Sequence, residues 1–268
     1  DYLLKPVGRR RLARAIDRVR ESMTPGGRLE REAADATGAQ ARLFPRTLPP
    51  MVHLEYSGMC RAAREVGGDY YDFLPISESR LGIAVGDVSG KGIFAGILMS
   101  NLQARLQSIA AARKGAPSDV VNETNRVMHT VTESNRYVTL FYALFDDTTL
   151  DLRYVNAAQN PPILLRGDET LRLPSNGMAV GLMADTRYAE SSVRLRPGDV
   201  LVAYTDGLTE MRDPEDEEFG DRRVVELASR HRDRPASELR DLLVERVDRF
   251  REGMGQNDDM TVVVAKVR

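Results

Sequence analysis

The order in which two hydropathy rhythms follow one another limits this chain more than any single motif does. From Val52 onward, short apolar or alternating runs predict strands near 52–59, 69–75, 80–86, 137–146, 150–156, 162–166, 200–205 and 260–267. Two helical patterns, about 92–113 and 117–134, stand together between the third and fourth of these runs. A second helical pair, 221–230 and 236–251, stands before the last. Regular strand–helix alternation would build a parallel sheet. Strands in succession with helices in pairs build antiparallel sheets covered by helices, so the expected class is α+β.

Ahead of this region the pattern is helical only. Leu12, Ile16, Val19 and Met23 recur at spacings of four, three and four, with Arg and Glu on the other faces. Thr24-Pro25-Gly26-Gly27 reads as the end of that helix. A second pattern through Leu29, Ala33, Ala36, Gln40 and Leu43 runs to Pro45, and Leu48-Pro49-Pro50 makes a stiff entry to the strands. The division expected is an N-terminal helical arm, residues 1–43, and one domain, residues 44–268. The apolar stripe of the arm has the spacing of a coiled-coil seam, which suits pairing with a second copy in a homodimer. The chain opens at Asp1 inside a strand-like apolar phrase and so reads as a fragment.

Composition removes several classes. Across 268 residues, 38 basic side chains meet 40 acidic ones, and the net charge of −2 gives no reason to expect a nucleic-acid partner. Cys60 is the single cysteine and forms no internal disulfide. The apolar run 93–99 is far shorter than the ~18–20 residues that cross a bilayer. A cytoplasmic chain without membrane contact is expected.

Four phrases place an Asp at the end of an apolar run beside a turn: Gly67-Gly68-Asp69-Tyr70-Tyr71-Asp72, Gly86-Asp87-Val88-Ser89-Gly90-Lys91-Gly92, Tyr204-Thr205-Asp206-Gly207 and Asn257-Asp258-Asp259-Met260-Thr261. Any one is an ordinary solvated turn. Gathered at one end of a sheet they would repel, and would take up protons unless a cation neutralised them. Oxygen ligands without a His or Cys cluster favour Mg²⁺ or Mn²⁺ over Zn²⁺. The glycine turn after Val85 is not a phosphate-binding P-loop: Gly86 sits one residue too close to Gly90-Lys91, and Gly92 replaces the required Ser or Thr. His53, His129 and His231 have no ligand spacing, and Cys60 reads as a small buried hydrophobe. With no G-x-S-x-G phrase and no evident covalent nucleophile, a metal-activated water is the natural substitute.

Ala62 to Phe73, the Gly86–Gly92 turn, Thr205-Asp206-Gly207-Leu208-Thr209-Glu210 with Phe219-Gly220, and Asp258-Asp259-Met260-Thr261 together resemble, in order, the motifs of SpoIIE/RsbU-type phosphatases. These are the bacterial branch of the metal-dependent Ser/Thr protein phosphatases (PPM family). The resemblance implies an α-β-β-α sandwich with two divalent ions at one end. By motif position it implies that Asp87 bridges the ions and that the Val88 carbonyl binds one of them. Asp206 and Asp258 would complete the other site, and Asp69 would contribute directly or through water. Asp259 is the alternative should the register differ by one, Asp72 would orient the site, and Arg64 or Lys91 would steer the phosphate. The implied reaction is hydrolysis of phosphoserine or phosphothreonine on a STAS-domain anti-sigma-factor antagonist. Where the family commonly shows Asn-Ala-Gly-His-Asn-Pro, this chain has Asn156-Ala157-Ala158-Gln159-Asn160-Pro161, beside a loop around 176–181. That departure leaves a rival reading, a weakly active or inactive binding module of the same fold. A nucleotide switch is the more distant rival. Asp1-Tyr2-Leu3-Leu4-Lys5-Pro6 is similar to the end of a two-component receiver domain whose last helix would be 9–23. An upstream histidine kinase would then be a partner.

Overall fold

The computed structural model of the chain describes residues 25–132 and 136–268. The receiver-like phrase at 1–6 and the stripe at 9–23 lie outside the described residues. Helix α1 (Pro25–Gln40) opens on a proline, whose missing N–H costs nothing in the first turn. Gly26 and Gly27, expected as a break, are inside that first turn.

The remaining elements are β1 (Leu54–Arg61), β2 (Tyr70–Ser77), β3 (Arg80–Val88), α2 (Ile93–Ala112), α3 (Pro117–Val131), β4 (Val138–Asp146), β5 (Asp151–Ala157) and β6 (Ile163–Arg166). They continue as β7 (Glu169–Arg172), β8 (Ser191–Arg194), β9 (Val200–Tyr204), α4 (Asp206–Thr209), α5 (Gly220–Arg230), α6 (Ala236–Phe250) and β10 (Met260–Val267). Sequence patterning misses β7 and β8. Each is four residues long and largely exposed, too short for alternation to show. It also misses α4, a single turn that starts at Asp206 itself.

Two antiparallel sheets form, β1-β10-β9-β6-β7 and β2-β3-β4-β5-β8. Strand periodicity assigns their faces. On β3, Leu81, Ile83 and Val85 join Phe73, Phe141, Leu201 and Val263 between the sheets. Ala84 and Val88 face outward onto Leu102, Leu106 and Met128 of α2 and α3. On the other side, Val202, Tyr204 and Val264 face Val224 of α5 and Leu243 of α6. The layers are therefore α-β-β-α, as the resemblance implied. Gln40 fastens α1 to this body: its amide nitrogen donates to the Gly67 carbonyl at 2.7 Å, and its oxygen accepts from the Gly67 N–H at 2.9 Å. Among the described residues, no helix is long and apolar enough to cross a membrane.

Candidate metal centre

The strand periods that build the core also aim the acids. In the β2–β3 ladder Tyr70 pairs with Gly86, so Asp69 and Asp87 stand side by side one step further on. Asp69 has the parity of Tyr71 and Phe73, and Asp87 that of Ile83 and Val85, so both point between the sheets. In the other sheet Val262 pairs with Tyr204, which brings Thr205, Asp206 and the Asp258–Thr261 segment to the same end.

Asp69 is buried and held across the gap between sheets. Its Oδ2 accepts from the hydroxyls of Thr205 at 2.7 Å and Thr261 at 2.8 Å. The Thr261 N–H donates in turn to the Thr205 hydroxyl oxygen at 2.9 Å. Burial first, then the neighbouring Asp87, raises the Asp69 carboxyl well above the usual range, and the two threonine hydroxyls oppose that rise. Asp87 is pushed up to about 8, chiefly by burial and then by Asp206, Asp258 and Asp259, while Lys91 pulls it down. Asp206 is raised by burial and by Asp258, and Glu210, one turn on, by burial and by Asp206.

The adjacent pair Asp258 and Asp259 divides the work. Asp259 is buried, and its two oxygens accept from the backbone N–H groups of Ala63 at 2.7 Å and Gly68 at 2.6 Å, which ties β10 to the 63–68 loop. Both oxygens are thus committed to backbone. Asp258 is half-exposed, and its Oδ2 lies 2.7 Å from the Lys91 ammonium. Lys91 also donates to the Asn257 carbonyl at 2.7 Å, so it binds the acid loop instead of standing free for a phosphate. Arg64 is exposed beside the Gly92 turn. Asp72 points to the helix side of its sheet, where it accepts from Tyr70 and Gln107 and steadies α2.

Two glycines keep the mouth open. A Cβ on Gly68 would come to 2.9 Å from the Val88 carbonyl oxygen, the oxygen implied as a ligand. A Cβ on Gly207 would overlap the Asp259 carbonyl at 1.8 Å. Close backbone approach explains both residues.

Among the described residues, no three carboxylate, imidazole or thiol groups already close on one point as metal ligands. The donor set nonetheless fits a hard cation. Burial, and then neighbouring carboxylates, raise the proton affinity of Asp69, Asp87 and Asp206, and Lys91 is the cation paired with Asp258. The three histidines do not enter. His53 bonds Asp147 and His129 bonds the Gly181 carbonyl, and His231 lies at the far end of α5. Cys60 is half-buried on β1, with its thiol 3.9 Å from the Asp69 carbonyl.

Sequence reasoning misses the hydroxyls of Thr205 and Thr261, although their strand parity matches that of the acids. It also misses the use of Gln159, which stands where the family commonly has His. Gln159 is buried, its oxygen accepts from the Thr139 hydroxyl at 3.1 Å and from Asn160 N–H at 2.9 Å, and Thr139 pairs with Asp87 across β3 and β4.

Comparison with known proteins agrees with the fold. Residues 77–268 match the family model described as Stage II sporulation protein E (SpoIIE). The chain is 30% identical over 186 residues to phosphoserine phosphatase RsbU of Bacillus subtilis, covering 69% of this chain and 55% of RsbU. The SiaA-PP2C domain of Pseudomonas aeruginosa superposes with a TM-score of 0.80 at 20% identity, covering 89% of this chain and 97% of that one. The catalytic domain of serine threonine protein phosphatase PstP, solved with 2 manganese ions, superposes with a TM-score of 0.61 at 19% identity, covering 80% and 98%. The chain spans about half the length, or less, of the curated relatives it matches.

Proposed function

The chain belongs to the SpoIIE family, and on that premise we propose that it is a Mg²⁺- or Mn²⁺-dependent phosphatase of phosphoserine or phosphothreonine in proteins. The observation that carries the reading is the arrival of Asp69, Asp87, Asp206 and Asp258 from four separate segments at one end of the sandwich, with proton affinities of three of them raised by burial and then by neighbouring carboxylates. We assign the ligand oxygens to those four carboxylates and the Val88 carbonyl, holding two ions. A divalent ion there supplies Lewis-acid activation of water and of the phosphoryl group.

The chain's own residues do the rest. Thr205 and Thr261 fix the Asp69 carboxylate in one orientation, so its free oxygen needs no reorganisation on binding. Asp259 freezes the loop from Ala63 to Gly68 and with it the approach to the Val88 carbonyl. Lys91 balances the acid loop, and exposed Arg64 is placed to orient a phosphoryl oxygen. Gln159 positions Thr139 beside the Asp87 strand.

The substrate proposed is a phosphorylated STAS-domain anti-sigma-factor antagonist. RsbU is named a phosphoserine phosphatase, which supports the phosphoserine part of this reading. We place the end of a receiver domain within residues 1–23, its last helix at 9–23, and a histidine kinase upstream of it. We also propose that the arm, residues 1–43, pairs with a second copy. Ile93 and Ile97 of α2 support this, because they are 72% and 66% exposed next to α1. Sedimentation of the chain with and without residues 1–24 tests the pairing, and a monomer in both removes it.

Release of phosphate from p-nitrophenyl phosphate and from a phosphoserine peptide, with Mn²⁺ and then with EDTA, tests the activity. Turnover that depends on the metal and disappears in Asp87→Asn is the expected result. Failure with both substrates at all metal concentrations would leave the inactive binding module.

A further inference from the structure

A groove of about 340 Å³ runs between α5 and α6 on the outer face of the first sheet. Phe219 and Phe250 form its floor, packed edge to face with centroids 5.3 Å apart. Arg223, Arg230, Arg246 and Arg249 line it, against one acid, Glu226.

The existing pairs leave much of this charge uncancelled. Arg223 lies over the Phe250 ring at 4.7 Å, donates to the Glu218 and Phe219 carbonyls and faces the Glu217 carboxylate at 3.5 Å, which builds it into the floor. Glu226 faces Arg222 at 3.6 Å, on the other side of its helix turn. Arg249 pairs with Glu245. Arg230 and Arg246 are exposed and make no ion pair or hydrogen bond among the described residues. Two free guanidinium groups above an apolar floor are suited to bidentate binding of carboxylates.

The groove is also anchored to the acidic mouth. Asp248 of α6 accepts two bonds from Arg61, each 2.8 Å, and Arg61 donates to Gln256 at 2.7 Å. The Gln256 amide then donates to the Asp258 carbonyl at 2.8 Å. At the other wall, Tyr204 at the end of β9 donates to Asp221 of α5 at 2.7 Å. Hydrogen bonds thus join the mouth to the near end of the groove.

We propose that this groove docks an acidic segment of the phosphoprotein substrate while the phosphorylated residue sits at the mouth, an inference that rests on the phosphatase reading. The groove extends from the mouth side of α5 toward its far end, so acidic residues that flank the phosphorylation site at a distance are drawn along it to Arg246 and Arg230. The Phe250 ring is already engaged by Arg223 and Phe219, which disfavours stacking of a nucleobase.

The test uses two phosphoserine peptides that differ only in a flanking run of Glu or of Gln. Wild type, Arg230→Gln/Arg246→Gln and Arg230→Glu/Arg246→Glu are compared with Mn²⁺ present, with p-nitrophenyl phosphate as control. Wild type should favour the Glu peptide by about tenfold in kcat/KM, through KM, and less at high salt. The Gln variant should lose the preference and the Glu variant should reverse it, with p-nitrophenyl phosphate turnover unchanged in both. Equal use of the two peptides by wild type, or a preference kept by both variants, would overturn the proposal. Anisotropy of a labelled Glu peptide carrying unmodified serine gives a separate readout. Should no substrate turn over, the phosphatase reading fails, while tighter binding of this peptide to wild type than to the variants still supports the groove. A single-stranded oligonucleotide that displaces the peptide at lower concentration counts against it.

Discussion

Asp69 and Asp87 enter the mouth from adjacent strands of the β2–β3 ladder, while Asp206 and Asp258 enter from the first turn of α4 and from the loop before β10. The first pair is placed by strand register, which cannot shift by one residue without turning the whole hydrophobic face outward. The second pair lies outside the ladders, on a single helical turn and a loop. Asp206 sits in a single helical turn, and Asp258 is half-exposed against Lys91. One half of the centre is therefore fixed by the fold and the other is adjustable.

The sharpest way to break this comparison is to neutralise one acid from each half. Asp87→Asn should lower kcat on the order of 10³-fold, because several kcal/mol of charge stabilisation disappear and added Mn²⁺ cannot restore them. Asp258→Asn should instead weaken metal binding by roughly 10–100-fold and recover much of its rate in excess Mn²⁺. Equal, unrescued losses in the two variants would show that both halves are rigid.

A second measurement separates the neighbours Asp258 and Asp259. Asp259→Ala should destabilise the protein by about 3 kcal/mol in urea unfolding, since it leaves the N–H groups of Ala63 and Gly68 without their charged acceptor. Asp258→Ala should change stability by less than about 1 kcal/mol, as a half-exposed ion pair contributes little.

The pH dependence of the metal-free protein follows from Asp87. Its carboxyl titrates near about 8 in the fold against 3.8 for the free group, so between those values the folded state holds more protons than the unfolded one. Stability without metal should then fall as pH rises from about 5 to 8. Stabilisation by Mn²⁺ should grow over the same interval, because the ion displaces those protons. Unfolding midpoints with Mn²⁺ and with EDTA check both slopes, and parallel slopes would contradict the arrangement. The smallest effect is expected at Lys91: Lys91→Gln should tighten Mn²⁺ binding by no more than about fivefold, measured by isothermal titration.

The layered fold was largely legible in the chain, because Leu81, Ile83 and Val85 alternate as a half-buried strand must and the helices come in pairs. Most of the acid positions were legible too, since each ends an apolar run beside a turn. The roles of individual acids were not. Asp258 and Asp259 are one identical pair of letters, and nothing local distinguishes the one facing Lys91 from the one holding Gly68. Lys91 likewise looks available for a phosphate until the Asn257–Asp258 loop is seen against it. The short strands β7 and β8 are invisible for another reason: they are edge strands, specified by their partners and not by their own pattern.

The alternation of faces, and with it the kind of group each segment offers at its end, can be read along the chain one segment at a time. Local chemistry sets this, because a strand's period and a turn's glycine act within a few residues. Which oxygens stay free depends on the packing of the two sheets. Asp69 meets Thr205 and Thr261 across 136 and 192 residues, and Asp259 meets Gly68 across 191. Contacts over such distances depend on how two sheets stack, which no local pattern encodes.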